Sequence, residues 1–183
     1  MPQPPNIILL GFMGSGKSTT GRELSQLTGF QYWDMDQWIE EKNGKSVSEI
    51  FETFGESYFR SEEQESMEWI KKRTHYVSSL GGGAWLSENL REVLLALGWC
   101  VWLKVSPVQC FQRVGENLSK RPLLAKNQNP LNHITQLLEK RSPLYSLAHF
   151  SIETDNKTPK EVATEIYETI LKVKPFDLPQ MSS

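Results

Sequence analysis

Cysteine is scarce in this chain: 183 residues hold two, Cys100 and Cys110. They sit on a strand-like and a helix-like segment, so two reduced, buried thiols of a cytoplasmic protein are expected rather than a disulfide framework. Long hydrophobic runs are also missing. No stretch approaches the roughly 18 apolar residues that a membrane-spanning helix needs. The opening Met1-Pro2-Gln3-Pro4-Pro5 has neither the basic nor the apolar region of a signal peptide. Neither sign of charge dominates, with 20 Lys plus Arg against 22 Asp plus Glu and a formal net charge of -2. Nucleic-acid and membrane-surface binders usually carry a basic excess, so neither partner is expected. His75, His133 and His149 lack metal-ligand spacing. Neither G-x-S-x-G nor C-x-x-C occurs, which leaves hydrolase and thioredoxin chemistry without a foothold.

What is present is an ordinary globular composition, 38% hydrophobic and 23% charged, at a length suited to one domain. The pattern alternates strand and helix. Asn6–Leu10 reads as a strand buried on both faces, followed by a helix to about Leu27 that Gly29 closes. Phe30–Trp33 reads as a second strand ending on Asp34-Met35-Asp36. Ser46-Val47-Ser48-Glu49 is a capping box for a helix that Gly55 ends, and a longer charged helix runs to about Arg73. Tyr76–Leu80 and Trp99–Val105 read as strands, with a helix capped by Ser87 between them. Ser106-Pro107 starts a helix to about Val114. Residues 115–130 have no apolar period and read as a mobile loop. A helix over about Leu131–Arg141, a strand at Phe150–Ile152 and a helix from Pro159 to about Val173 complete the order. Five buried strands alternating with helices predict an α/β fold, three layers deep, around a parallel sheet. Residues 175–183 read as a frayed tail.

Ligands of such sheets bind at the carboxyl ends of the strands, where Gly11, Asp34, Asp36 and Gly81 all fall. Gly11-Phe12-Met13-Gly14-Ser15-Gly16-Lys17-Ser18 fits the phosphate loop G-x-x-x-x-G-K-[ST]. Its glycines let backbone N–H groups turn toward a phosphate, and the next helix adds its positive end. Lys17 is placed to reach the β- and γ-phosphates, and Ser18 to ligate Mg²⁺. Asp34 and Asp36 alone are as compatible with a turn or a helix cap as with chemistry. Beside a phosphate loop, one suits the hydration shell of a metal and the other the orientation of an attacking hydroxyl. Gly81-Gly82-Gly83 permits close backbone approach to a ligand or simply a tight turn. Nothing in the spacing of Arg60, Arg121 and Arg141 alone selects them.

GFMGSGKSTTGRELS at Gly11–Ser25, DMD at Asp34–Asp36, IFETFGESYFRSEE at Ile50–Glu63, SLGGGA at Ser79–Ala84, RPLL at Arg121–Leu124 and KRSPLY at Lys140–Tyr145 follow one another along the chain. In these motifs, from Asn6 to about Val173, the chain resembles the shikimate kinases. The resemblance implies a single P-loop kinase domain over residues 1–174, with a substrate region at about 34–62 and a lid at about 115–130. It implies transfer of the ATP γ-phosphoryl group to the 3-hydroxyl of shikimate, in aromatic amino-acid biosynthesis. By the same resemblance, Gly14, Ser15, Gly16, Lys17, Ser18 and Thr19 bind ATP, with Arg113 stacked on adenine and the Thr154–Pro159 stretch, Pro159 included, on the other side of the base. Ser18 and Asp34 place Mg²⁺. Asp36 binds the shikimate hydroxyls and is the candidate base. Arg60 and Arg141 bind the carboxylate, and Gly81, Gly82 and Gly83 form the backbone wall. Two-pronged guanidinium–carboxylate pairing makes the arginine roles physically sensible. Phe51 and Phe59 match the apolar lining, although their helical spacing equally suits core residues. Arg121 matches the lid arginine that closes over the phosphates, making Lys17, Asp36 and Arg121 the catalytic set.

Two rivals are weighed against this. A gluconate or nucleoside monophosphate kinase would share the phosphate loop, because fold does not set substrate, but would not need Asp36, Arg60, Gly81–Gly83 and Arg141 together. A non-catalytic nucleotide switch would be expected to lack some of that set, and Asn156-Lys157-Thr158-Pro159 lacks the Asp of a guanine-binding run. No heptad or long apolar tail suggests assembly, so a monomer is expected.

Overall fold

The computed structural model of the chain describes residues 6–115 and 129–173. Its strands are β1 (Asn6–Leu10), β2 (Gln31–Asp34), β3 (Tyr76–Ser79), β4 (Trp99–Lys104) and β5 (Phe150–Glu153). The helices are α1 (Lys17–Thr28), α2 (Met35–Asn43), α3 (Val47–Ile70), α4 (Glu88–Leu97), α5 (Pro107–Val114), α6 (Pro130–Tyr145) and α7 (Pro159–Lys172), with one 3₁₀ turn at Ala84–Leu86. All strand pairings are parallel, in the order β2-β3-β1-β4-β5. This is the expected three-layer α/β sheet.

The two-residue period of a strand explains the layers. Every residue of β1 is buried. Ile7 and Leu9 point to one face, where Leu24 of α1 and Val162, Ala163, Ile166 and Ile170 of α7 cover them. Ile8 and Leu10 point to the other, into a core built with Ile39, Ile50, Phe59, Leu94 and Ile134. Because β3 lies on one side of β1 and β4 on the other, the chain reverses its winding at β1, and the crevice opens at its carboxyl end.

Start signals act as their chemistry predicts. Ser46 and Thr158 each make a reciprocal capping box, with Glu49 and Glu161. Ser106 accepts from the Gln109 N–H. Ser87 occupies the cap position of α4 but makes no side-chain cap bond there. Gly55 does interrupt α3, at φ 80 and ψ 175.

Two elements differ from expectation. From the sequence, the second strand is expected to end on Asp34-Met35-Asp36 with no helix between there and Ser46, whereas helix α2 fills nine residues there, with Met35 and Ile39 buried and Trp38 packed beside them. It is also held from outside: Lys42 pairs with Glu62 (2.9 Å) and Glu65 (2.6 Å) of α3, and Asn43 donates to Glu62 (2.8 Å). Helix α6 runs past Arg141 and through Pro143, because its last turn buries Tyr145 and receives the Trp85 indole N–H on the Leu144 carbonyl at 2.8 Å. Of the expected lid, 116–128 lie outside the described residues, as does the 175–183 tail. Among the described residues, no helix is long and apolar enough to cross a membrane.

Candidate active site

The phosphate loop bridges β1 and α1. Gly11, Gly14 and Gly16 all have positive φ, at 143°, 73° and 87°. Space is also short. A Cβ on Gly11 would lie 2.6 Å from the Leu103 carbonyl oxygen, and one on Gly14 would lie 2.8 Å from Val114 Cγ2. Glycine is therefore needed there for conformation and for packing. Lys17 Nζ donates to the Gly11 and Phe12 carbonyls at 2.9 and 3.0 Å, which folds its charge over the loop. Ser15 is buried, and Thr19 Oγ1 donates to the Gly16 carbonyl at 3.1 Å.

Arg113 of α5 clasps this loop to the end of β5. It donates to the Gly14 carbonyl (3.2 Å), to Thr154 Oγ1 (3.2 Å) and to the Thr154 carbonyl (2.7 Å). Arg113 and Thr154 are thus brought together, while Pro159 opens α7 farther along the chain.

The two aspartates part ways. Asp34 ends β2 and caps α2, its Oδ1 accepting from the backbone N–H groups of Asp36 (3.1 Å) and Gln37 (3.3 Å). Its Oδ2 faces the phosphate loop and accepts from Ser18 Oγ at 2.8 Å. Tyr32, absent from the expected site, also lies 2.8 Å from Oδ2. Burial, with the Asp34 charge adding to it against a Ser79 hydrogen bond, pushes the Tyr32 hydroxyl up to about 12. One carboxylate thus both caps α2 and meets Ser18 beside the phosphate loop. Asp36, one residue into α2, turns instead to the triple glycine: its Oδ1 is 2.7 Å from where a Gly81 Cβ would sit.

Residues 81–83 receive three charged side chains. Arg60 of α3 packs so closely on Gly83 that a Cβ there would collide with its Nη1. Arg141 of α6 donates to the Gly82 carbonyl at 3.4 Å, with its guanidinium 5.4 Å from the Phe12 ring centroid. None of these three glycines has positive φ, so what a side chain at 81 or 83 would displace is the Asp36 carboxylate or the Arg60 guanidinium rather than the backbone. The Trp85–Leu144 bond ties this turn to the helix that carries Arg141.

Glu63 was also missed. Its side chain is 2% exposed, its Oε2 pairs with Arg60 Nη1 at 2.7 Å, and its Oε1 has no hydrogen-bond partner among the described residues. Burial pushes its carboxyl above the usual range, and Arg60 only partly offsets this. Arg-x-x-Glu on one helix face was the available signal. Glu56 holds the other side of Arg60 at 2.9 Å. Phe59 is buried in the core with Phe51 against it, ring centroids 4.6 Å apart, which makes Phe59 primarily a packing residue. Arg121 lies outside the described residues.

A family model described as shikimate kinase matches residues 13–171. The chain belongs to the shikimate kinase family. Shikimate kinase of Thermus thermophilus is 38% identical over 171 residues, covering 93% of this chain and 92% of that protein. The enzyme of a Sulfurihydrogenibium species is 41% identical over 165 residues, covering 90% and 97%. Among solved structures, shikimate kinase from Acinetobacter baumannii in complex with shikimate superposes with a TM-score of 0.86 at 38% identity, covering 93% of this chain and 96% of that one. A gluconokinase from Sinorhizobium meliloti, at TM-score 0.58 and 16% identity, shares the fold alone. The family members are ATP-dependent kinases.

Proposed function

We propose that this member of the shikimate kinase family transfers the γ-phosphoryl group of ATP to the 3-hydroxyl of shikimate, giving shikimate 3-phosphate and ADP. The observation that carries the reading is the convergence of Asp36, Arg60 and Arg141 on residues 81–83. Two guanidiniums suit a carboxylate, and a carboxylate beside them suits a hydroxyl. In transfer, the 3-hydroxyl oxygen bonds to the γ-phosphorus as the bond to the β,γ-bridging oxygen breaks, and the hydroxyl proton passes toward Asp36. Arg60, held by Glu63 and Glu56, and Arg141 anchor the substrate so that the hydroxyl meets the phosphorus in line. Lys17 exchanges its loop carbonyls for phosphate oxygens and follows the charge that moves in transfer. Arg121, which lies outside the described residues, is assigned a second positive charge on the phosphates by the family resemblance, and Arg113 with the Thr154–Pro159 stretch flanks the adenine.

Ser18 and Asp34 offer two hard oxygens 2.8 Å apart at the foot of the phosphate loop, which fits Mg²⁺ held by one hydroxyl, phosphate oxygens and water. When bound, Mg²⁺ supplies neutralisation of the β- and γ-phosphate charge. The enzyme acts as a monomer in the cytoplasm; the buried Cys100 and Cys110 and the balanced charge suit that compartment.

Arg141→Ala tests the arrangement. It is expected to raise the KM for shikimate by about 10- to 100-fold, the loss of a charged hydrogen-bonding partner, with the KM for ATP unchanged. Steady-state kinetics with each substrate varied reads this, and a loss confined to ATP would contradict the assignment.

A further inference from the structure

The Tyr32 hydroxyl lies 2.8 Å from Asp34 Oδ2 and 3.1 Å from Ser79 Oγ. A carboxylate only accepts, so the single phenolic proton goes to Asp34 and the Ser79 hydroxyl donates to Tyr32. The surroundings of the ring are arranged around this contact. Gly21 of α1 leaves it room: a Cβ there would fall 2.5 Å from Tyr32 Cε2 and 3.1 Å from Ser79 Oγ. Arg22 lies over the ring with its guanidinium carbon 4.8 Å from the centroid. Ser79 ends β3 in register with Asp34 of β2. Three elements therefore aim one phenol at the oxygen of Asp34 that also accepts from Ser18.

We infer that Tyr32 is a positioning residue of the phosphoryl-transfer site, fixing the Asp34 carboxylate so that its Oδ2 faces the metal position at Ser18. This rests on the proposed role of Ser18 and Asp34 in holding Mg²⁺. The α2 cap constrains Oδ1 alone. When the Ser18 hydroxyl turns its oxygen toward a cation, its proton no longer restrains Oδ2. Tyr32 is then the side chain that keeps that oxygen from rotating away, because Gly21, Arg22 and Ser79 also hold its ring and hydroxyl in place. A phenol also orders the carboxylate without placing a positive charge beside the metal position, as a lysine or arginine there would.

The test is Mn²⁺ binding to the full chain in the presence of ADP, read from the electron paramagnetic resonance signal of free Mn²⁺. Tyr32→Phe, which keeps the ring, is expected to weaken Mn²⁺ binding about tenfold, the value of one hydrogen bond to a charged group. The Mg²⁺ concentration for half-maximal turnover should rise in parallel, with metal-free ADP binding and the KM for shikimate unchanged. A general loss of packing would not produce that split. Ser79→Ala, which leaves the phenolic donor in place, is expected to have a smaller effect. Gly21→Ala, which crowds the ring, should weaken Mn²⁺ binding by a second route. Asp34→Asn serves as the reference. If it weakens Mn²⁺ binding while Tyr32→Phe leaves it unchanged, the role of Tyr32 is overturned and that of Asp34 stands. If neither variant affects Mn²⁺ binding, both assignments fall.

Discussion

Replacing Asp36 by Asn keeps the size of the side chain beside Gly81 and removes its charge. If Asp36 takes the hydroxyl proton, kcat should fall by about 100-fold or more, the usual share of a general base, while ATP binding is retained. Rapid-quench turnover and nucleotide titration of Asp36→Asn separate the two, and an unchanged kcat removes Asp36 from the chemistry. Candidates of this kind are nameable from sequence where the chemistry prescribes a spacing, as for Lys17 and Ser18 after the loop glycines; Asp36, two residues after Asp34 at a strand end, became a candidate only beside that loop and through the family resemblance. Tyr32 was not legible, and Glu63 was marked only by its i,i+3 spacing from Arg60. Each acts through another side chain, Asp34 or Arg60, and that relation exists only once β2 lies beside β3 or α3 packs on residues 81–83. The glycines at 81–83 suited either close approach of a ligand or a tight turn; the side chains that crowd 81 and 83 are this chain's own Asp36 and Arg60.

Helix α3 carries Arg60 on the far side of its break at Gly55. A Cβ there meets nothing within 4 Å, so Gly55→Ala strains the backbone alone, and a loss of about 1–3 kcal/mol in denaturant unfolding is expected. The capping boxes make a separate prediction. Hydrogen bonds from Ser46 hold the Glu49 carboxyl below its ordinary 4.5, and those from Thr158 do the same for Glu161. A depressed folded-state value means that the stabilisation is complete above about pH 4.5 and is lost as pH falls through the lowered values. Glu161→Gln should therefore lower the Tm at pH 7 and flatten its decline on the acid side of 4.5, by calorimetry across pH. An acid decline identical to the parent would contradict the cap's role. These caps were plain in the sequence because a capping box is a local four-residue signal. Helix α2 was hidden because its apolar stripe, Met35, Trp38 and Ile39, covers little more than one turn, and its second half is held by contacts of Lys42 and Asn43 with Glu62 and Glu65 of α3.

On the scale of the whole molecule, the parallel order β2-β3-β1-β4-β5 brings chain segments far apart in sequence to one crevice. The phosphate loop leaves the central strand, Asp34 and Asp36 follow an edge strand, and residues 81–83 follow the strand between them. The arginines arrive on helices from two sides. Strand number and parallel sense could be read from the alternation of buried runs and helical segments, whereas strand order could not, since β1 gives no sequence sign of which strands flank it. The central claim is that this crevice holds a phosphate donor at one end and shikimate at the other. Coupled ADP release with Mg²⁺-ATP tests it most directly, with shikimate, gluconate and a nucleoside monophosphate offered in parallel as acceptors. The account predicts strong release with shikimate alone. Release with gluconate or the nucleotide in its place would retain the phosphate loop and contradict the pairing of Arg60 and Arg141 with the shikimate carboxylate.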